Sequence, residues 1–336
     1  LPTMKDVARR AGVSVATVSR VINETRYVNE ELRLKVVEAM GDLSYHPNVL
    51  ARSLRLGVSH TIGLVVPDNS NPFFAEIARA AETVGFENGY SVILCNSDKN
   101  VDRETTYVRV LIAKQVDGII FIATGSDIGN LLELTKQAIP VVVADRDIPQ
   151  TLADVVLVNN EQGGYDAARY LLDLGHRSIA AIATPLVPSA SADRLRGYRR
   201  ALNEAGTPVR EEWVAYGPDS YLGGETAMAQ LLQAEQRPTA VFAYNDVMAI
   251  GAYRAIKRSG LRIPQDISIV GFDDIALASA VIPALTTVAQ PIAAVATQAM
   301  HLLMTRIRSS RTDRPGQRIV LDTNLVIRES CAALRP

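Results

Sequence analysis

The chain has 336 residues, 48% of them hydrophobic and 21% charged, with a formal net charge of −1. That length supports two or three domains with ample core, and the balance excludes wholesale disorder. Two cysteines, Cys95 and Cys331, cannot build a disulfide framework or a zinc knuckle, and no apolar run reaches the roughly 18 residues needed to span a bilayer.

Charge is unevenly distributed. Residues 1–57 hold nine Lys and Arg against six Asp and Glu, a net of +3, so the remainder sums to −4. A mildly basic head on a mildly acidic body is compatible with a nucleic-acid partner. Three short helices are predicted over residues 5–45. In "PTMKDVARRAG" Thr3 is the N-cap, Asp6 the acidic member of a capping box and Gly12 the terminator. Ser14 then caps a second helix. Asn29 caps a third, which runs to Leu43 with Glu30 and Glu31 in its first turn and Leu32, Val36, Met40 and Leu43 facing inward.

Two helices joined by so tight a turn make a helix-turn-helix candidate, although the turn alone also suits an internal three-helix bundle. The second helix, within "GVSVATVSRVIN", decides between them. One row is apolar (Val15, Val18, Val21 and Ile22), while the other side is small, hydroxylated and free of carboxylates. A major groove about 12 Å wide admits such a face. Val15 and Ala16 suit thymine methyls, Arg20 suits a guanine edge, and Ser14, Thr17 and Ser19 suit phosphates.

Pro47 stops the third helix. Asn48 to Arg55 can then form about two turns, too short to be stable alone because roughly 12–15 residues are needed. Leu50 and Leu54 would share one face of it.

From His60 onward, β-branched runs alternate with amphipathic helices: "TIGLVVPD", "YSVILCNSD", "DGIIFIAT", "PVVVADRD", "DVVLVNN", "SIAAIAT", "TAVFAYND" and "ISIVGFDD". Nearly continuous apolar strands between helices argue for parallel sheets covered on both faces. Eight such units exceed one small sheet, so the fold class is α/β with two doubly wound subdomains. The links fall near Val158–Glu161, Gln290 and Arg318–Thr323. Open parallel sheets bind ligands at the carboxyl ends of their strands. Asn71, Asp145, Arg146, Asn245 and Asp273 sit at such ends and suit vicinal hydroxyls, while Phe73 and Phe74 offer flat faces to a sugar's C–H side.

Enzyme signatures are missing from the sequence: no Walker loop, no dinucleotide fingerprint and no nucleophile elbow. The histidines (His46, His60, His176 and His301) lack metal-ligand spacing, and His176 in "LGHRSIA" reads as a helix-to-strand turn. Neither cofactor nor metal is expected.

"TMKDVARRAGVSVATVSRVIN" and "YVNEELRLKVVEAMGDLSYHPNVLARSL" resemble the headpiece and hinge of the lactose-repressor (LacI/GalR) family of bacterial transcription regulators, and the resemblance continues through the body. It implies a cytoplasmic homodimeric repressor on a palindromic operator. The DNA contacts would come from Ser14, Val15, Ala16, Thr17, Ser19, Arg20 and Asn23, and from hinge residues Asn48, Ala51, Arg52 and Leu54. Leu54 would wedge into the central base step of the minor groove. The implied domains are residues 1–46 (headpiece), 47–57 (hinge helix), 58–159 with 291–318 (first effector subdomain) and 160–290 with 319–336 (second). The body is also similar to periplasmic sugar-binding proteins, especially ribose-type ones. That likeness implies a small neutral sugar, ribose or a related monosaccharide, held by Asn71, Phe73, Phe74, Asp145, Arg146, Arg194, Asn245, Asp273 and Gln290. One departure is Asp219 in "GPDSYLGG", where such proteins often place an aromatic, with Tyr221 two residues on. The chain ends soon after its last strand, without a tetramer-forming heptad helix, so dimers without a membrane partner are expected. The alternatives are a sugar-binding transport receptor, which a signal peptide in place of the headpiece would favour, and a sugar-metabolising enzyme, which turnover would reveal.

Overall fold

The computed structural model describes residues 2–23, 27–45, 57–122, 128–149, 151–184, 190–309 and 315–334. The chain divides into two compact units, Leu1–Ser59 and His60–Pro336.

In the first unit, helices α1 (Met4–Ala11), α2 (Val15–Asn23) and α3 (Glu30–Asp42) surround a small core of Val7, Ala8, Val18, Val36 and Ala39. The capping box of α1 is formed, with Thr3 and Asp6 exchanging bonds, and Gly12 closes the helix at φ 65°, where a side chain would be strained. Ser14 Oγ accepts from Thr17 N–H at 3.1 Å, and Asn29 Oδ1 accepts from Glu31 N–H at 2.9 Å. Leu32 departs from expectation: it is exposed, and Ala39 lies in the core instead. A core this small is filled from α3 by Val36 and Ala39, and Leu32, a turn earlier, falls outside it.

The second unit contains two six-stranded sheets, each an α/β lobe. The first has the order β11-β5-β4-β3-β1-β2, from β1 (Thr61–Val66), β2 (Ser91–Asn96), β3 (Gly118–Phe121), β4 (Val141–Ala144), β5 (Asp154–Val158) and β11 (Arg318–Leu321). The second has the order β12-β10-β9-β8-β6-β7, from β6 (Ile179–Ala183), β7 (Val214–Tyr216), β8 (Ala240–Ala243), β9 (Ser268–Asp273), β10 (Thr286–Ala289) and β12 (Asn324–Val326). Every pairing is parallel except β10 with β12. The central strands β3, β4 and β5 are buried at every position, as expected for a sheet covered on both faces.

Helices Pro72–Glu87 and Ile292–Arg308 cover one face of the first sheet, and Val101–Ala113 and Gly129–Lys136 cover the other. In the second lobe Asn160–Asp173 and Ala190–Glu204 lie on one face, and Tyr221–Leu232 and Asp246–Arg258 on the other. The chain passes between lobes after β5, after β10 and between β11 and β12. Because β11 lies wholly in the first sheet, that last passage runs through Asp322 and Thr323 rather than after residue 318. Four strands are not legible in the sequence: β7, β10, β11 and β12 are short and lack the unbroken four-residue apolar run of the equally short β3, β4 and β8. Among the described residues no helix is long and apolar enough to cross a membrane.

Candidate functional site

Two candidate surfaces emerge, one in each unit. On α2 the expected apolar row is buried at Val18 but open at Val15, which is exposed with Ala16 and Arg20, while Thr17, Ser19 and Asn23 are half-buried. Several of the polar groups already hold the helix together. Ser14 caps it and shares a 2.9 Å bond with Thr17 Oγ1, while the Asn23 amide donates to Ser19 O at 2.6 Å. Arg9, Arg10, Arg33 and Lys35 are ion-paired within the unit, but among the described residues no carboxylate pairs with Arg20. Arg20 is therefore an exposed cation on a carboxylate-free face, suited to a polyanion. Asn48, Ala51, Arg52 and Leu54 lie outside the described residues.

In the second unit the expected ligand residues converge on the carboxyl ends of the strands. Arg194, on helix Ala190–Glu204, is 3% exposed and is held from several sides. Its Nε donates to Asn160 Oδ1 and its Nη1 to Tyr244 O, both at 2.8 Å. Nη1 also lies 3.5 Å from Asp273 Oδ1. The guanidinium carbon stands 3.7 Å from the Phe272 ring centroid and 4.7 Å from that of Tyr244, so two aromatic faces share the charge. Gln290 donates from Nε2 to Asp273 Oδ1 at 2.6 Å.

Asp273 is fully enclosed, and burial raises its pKa well above the usual carboxylate range despite the Arg194 charge. Its backbone is left-handed at φ 117°, followed by Asp274 at φ 60°. Buried Asp246 fixes this turn by accepting from Ile275 N–H at 2.9 Å and from Thr287 Oγ1 at 2.6 Å. Burial pushes the Asp246 carboxyl up to about 7.

The first lobe contributes Asp145, directly after β4, at φ 60°. Left-handed backbone at a non-glycine costs about 1–3 kcal/mol and persists where the surroundings over-determine it, as at ligand clamps. Asp145 Oδ1 is out of contact with solvent and has no hydrogen-bond partner. Burial pushes this carboxyl up to about 6; Arg194 opposes the shift and Asp219 adds to it. Those two residues belong to the second lobe, so Asp145 faces its charges across the cleft. Arg146 is buried. Asn71 caps the helix after β1, its Oδ1 accepting from Phe73 N–H at 3.1 Å. Phe73 and Phe74 meet edge to face at 5.1 Å, in an apolar cluster that also takes in Val247 and Ile275 of the second lobe. Asn245 caps the helix after β8 through Oδ1, which accepts from Met248 N–H at 2.9 Å, and its Nδ2 donates to Asp219 Oδ1 at 2.7 Å.

Asn160, Tyr244, Phe272 and Lys99 also belong to this site and were not singled out from the sequence. Asn160 in "VNN" carried the same strand-end signal as the others. Tyr244 contributes a main-chain oxygen, which no residue pattern announces. The cleft as a whole offers carboxylates, guanidinium groups and amides beside the Phe272 and Tyr244 rings, an arrangement of donors and acceptors that can hydrogen-bond a small polar ligand. His176 shares bonds with Thr239 Oγ1 at 2.9 Å and Ala332 O at 3.1 Å, a buried structural role at the turn before β6. Among the described residues no group of three or more His, Cys, Asp and Glu is placed to hold a metal ion.

Two family models match the two units of the chain. Residues 3–48 match the family model "Bacterial regulatory proteins, lacI family", and residues 59–324 match "Periplasmic binding proteins and sugar binding domain of LacI family". The chain is 42% identical to the HTH-type transcriptional repressor PurR of Proteus mirabilis over 99% of its length and 97% of the relative's. It superposes on the lac repressor dimer bound to operator and the anti-inducer ONPF with a TM-score of 0.87, at 30% identity and 99% coverage of both chains. It also superposes on a ribose-bound LacI-family regulator of Enterococcus faecium with a TM-score of 0.76, at 33% identity over 82% of this chain and 100% of the other.

Proposed function

The chain belongs to the LacI family of bacterial regulatory proteins, and on that premise we propose that it is a homodimeric operator-binding repressor controlled by a neutral monosaccharide, ribose or a related pentose first. That it is a DNA-binding repressor with a ligand-binding body follows from the family. The choice of ligand is supported most by the unpartnered, buried Asp145 Oδ1, an acceptor suited to a sugar hydroxyl. Cations already paired with carboxylates of the cleft, Arg194 with Asp273 and Lys99 with Asp219 and Asp68, favour an uncharged ligand. The E. faecium regulator, with ribose bound, lends this choice further weight.

Dimerisation is supported by the likeness to the lac repressor, a dimer on its operator. Arg20 is assigned to a base edge and Leu54 to the minor-groove wedge. Coupling is assigned to residues 48–55, which lie outside the described residues: lobe movement on ligand binding alters the spacing of the two copies of this segment in the dimer.

The test is a fluorescence titration on a palindromic operator selected from random DNA, with and without ligand. D-ribose should change operator affinity at least about tenfold, the lower range of allosteric coupling. Arg20→Ala should cost about 1–3 kcal/mol on operator and relax one symmetric position per half-site. A purine base or a sugar phosphate that acts where ribose does not would overturn the ligand assignment, and equal losses on operator and random DNA would make Arg20 a phosphate contact.

A further inference from the structure

Lys99 and Asp219 stand 120 residues apart and belong to different lobes. Lys99 follows β2 and Asp219 follows β7, both at carboxyl ends of strands. Lys99 Nζ donates to Asp219 main-chain O at 2.8 Å and to Asp219 Oδ2 at 3.2 Å, and lies 3.6 Å from Asp68 Oδ2 of its own lobe. The other oxygen of Asp219 takes the Asn245 amide. A continuous chain of polar contacts therefore runs from the first lobe, through Lys99 and Asp219, to Asn245 at the start of a second-lobe helix.

Two further features mark this contact as more than a surface ion pair. Asp98 and Lys99 are consecutive left-handed residues, at φ 57° and φ 54°, and the main chain is fixed there by Lys99 N–H to Pro67 O at 2.8 Å. This bond fixes the loop from which the Lys99 side chain reaches the other lobe. Asp219 also lies close enough to Asp145 and Tyr244 for its charge to raise both their pKa values, which puts its carboxylate at the border of the ligand cleft.

We propose that Lys99 and Asp219 form a two-lobe clamp that holds the cleft closed, orients Asn245, and sets how fast the effector leaves. The part of this that concerns the effector rests on the ligand reading above; the clamp between lobes does not. An ammonium bonded to both the main chain and the side chain of its partner resists sliding as well as separation. The bond is also available only when the lobes are together, since each lobe holds one charge. Lys99 is thus a positioning residue: it acts on the ligand through Asp219 and Asn245. With Lys99 removed, Asp219 keeps Asn245 but loses its tether to the other lobe.

Hydrogen exchange on the full-length, ligand-free protein tests the clamp directly. Lys99→Gln, a change in the first lobe, should accelerate exchange at residues 217–224 of the second lobe by at least about twofold, because local opening there is restrained from across the cleft. Lys99→Arg, which keeps the charge and the donors, should preserve wild-type exchange. In stopped-flow measurements with D-ribose, Lys99→Gln should raise the dissociation rate about three- to fivefold, the range of a partly exposed ion pair. Raising salt should accelerate dissociation from wild type but hardly from Lys99→Gln. Unchanged exchange at 217–224 in Lys99→Gln overturns the clamp whatever the ligand is. Faster exchange with an unchanged ribose dissociation rate overturns its control of the effector. Failure of the wild type to bind ribose rejects the ligand assignment, and the exchange result then decides the clamp alone.

Discussion

The second lobe holds its charged groups in place before any ligand arrives, whereas the first lobe leaves one of its own unsatisfied. Arg194 is braced by Asn160, Tyr244 and Asp273 and sandwiched by Phe272 and Tyr244, all within one lobe. Across the cleft Asp145 keeps a buried oxygen with no hydrogen-bond partner and a carboxyl pushed up to about 6. The difference assigns roles. The second lobe is a template whose cation is preorganised, with one buried acceptor, Gln290 Oε1, still without a partner, and the first lobe supplies the carboxylate acceptor Asp145 Oδ1, whose missing partner is a ligand hydroxyl. Preorganisation on one side lowers the ordering cost of binding, while the unsatisfied acceptor makes a hydroxyl at that position worth more than it would be in water.

Arg194→Met breaks the template half and should have the largest effect. It leaves Asp273 buried without its cation, so about 3–5 kcal/mol of stability should be lost, together with all ligand binding. Chemical denaturation and calorimetry read the two losses. Asp145→Asn attacks the other half and should have the opposite effect on stability. Because the folded-state pKa is raised from 3.8 to about 6, ionised Asp145 destabilises the fold above pH 6. Its linked stability is fully present below about pH 4 and is lost as pH rises through 6. The Asn variant should therefore be about 3 kcal/mol more stable than wild type at pH 8, with the gain vanishing below pH 4, yet it should bind ligand far more weakly. Asn71→Ala should be the mildest. Loss of its cap to Phe73 N–H removes about 1 kcal/mol, and ligand affinity should drop only to the extent that Phe73 and Phe74 shift.

The template half was the more legible of the two in the sequence. Strand runs ending in "YND" and "GFDD" announced Asn245 and Asp273, and "RLRGY" carried Arg194 through family resemblance. Their mutual bracing was not legible, because it depends on a main-chain oxygen of Tyr244 and on a ring, Phe272, that reads as ordinary strand core. The headpiece was readable almost residue by residue, since caps and glycine turns are local signals; Leu32 failed because a core of five buried residues leaves no room for it. The strands β7, β11 and β12 lie at sheet edges and, like β10, lack the unbroken four-residue apolar run that makes the equally short β3, β4 and β8 legible. Lys99 was invisible: a lone lysine in a polar loop gains meaning only when Asp219 is found against it.

The central claim is that an ionised Asp145 accepts a hydrogen bond from a neutral ligand, and titration calorimetry of D-ribose between pH 5 and 8 tests it most directly. Ligand that prefers the ionised carboxylate must lower its pKa, so affinity should rise with pH to a plateau above about 6. Near pH 6 binding should release a proton, visible as a dependence of the measured heat on buffer ionisation enthalpy. The Asp145→Asn variant should lose that dependence along with most of its affinity. An affinity that is flat across this range, or that rises as pH falls, would contradict the account.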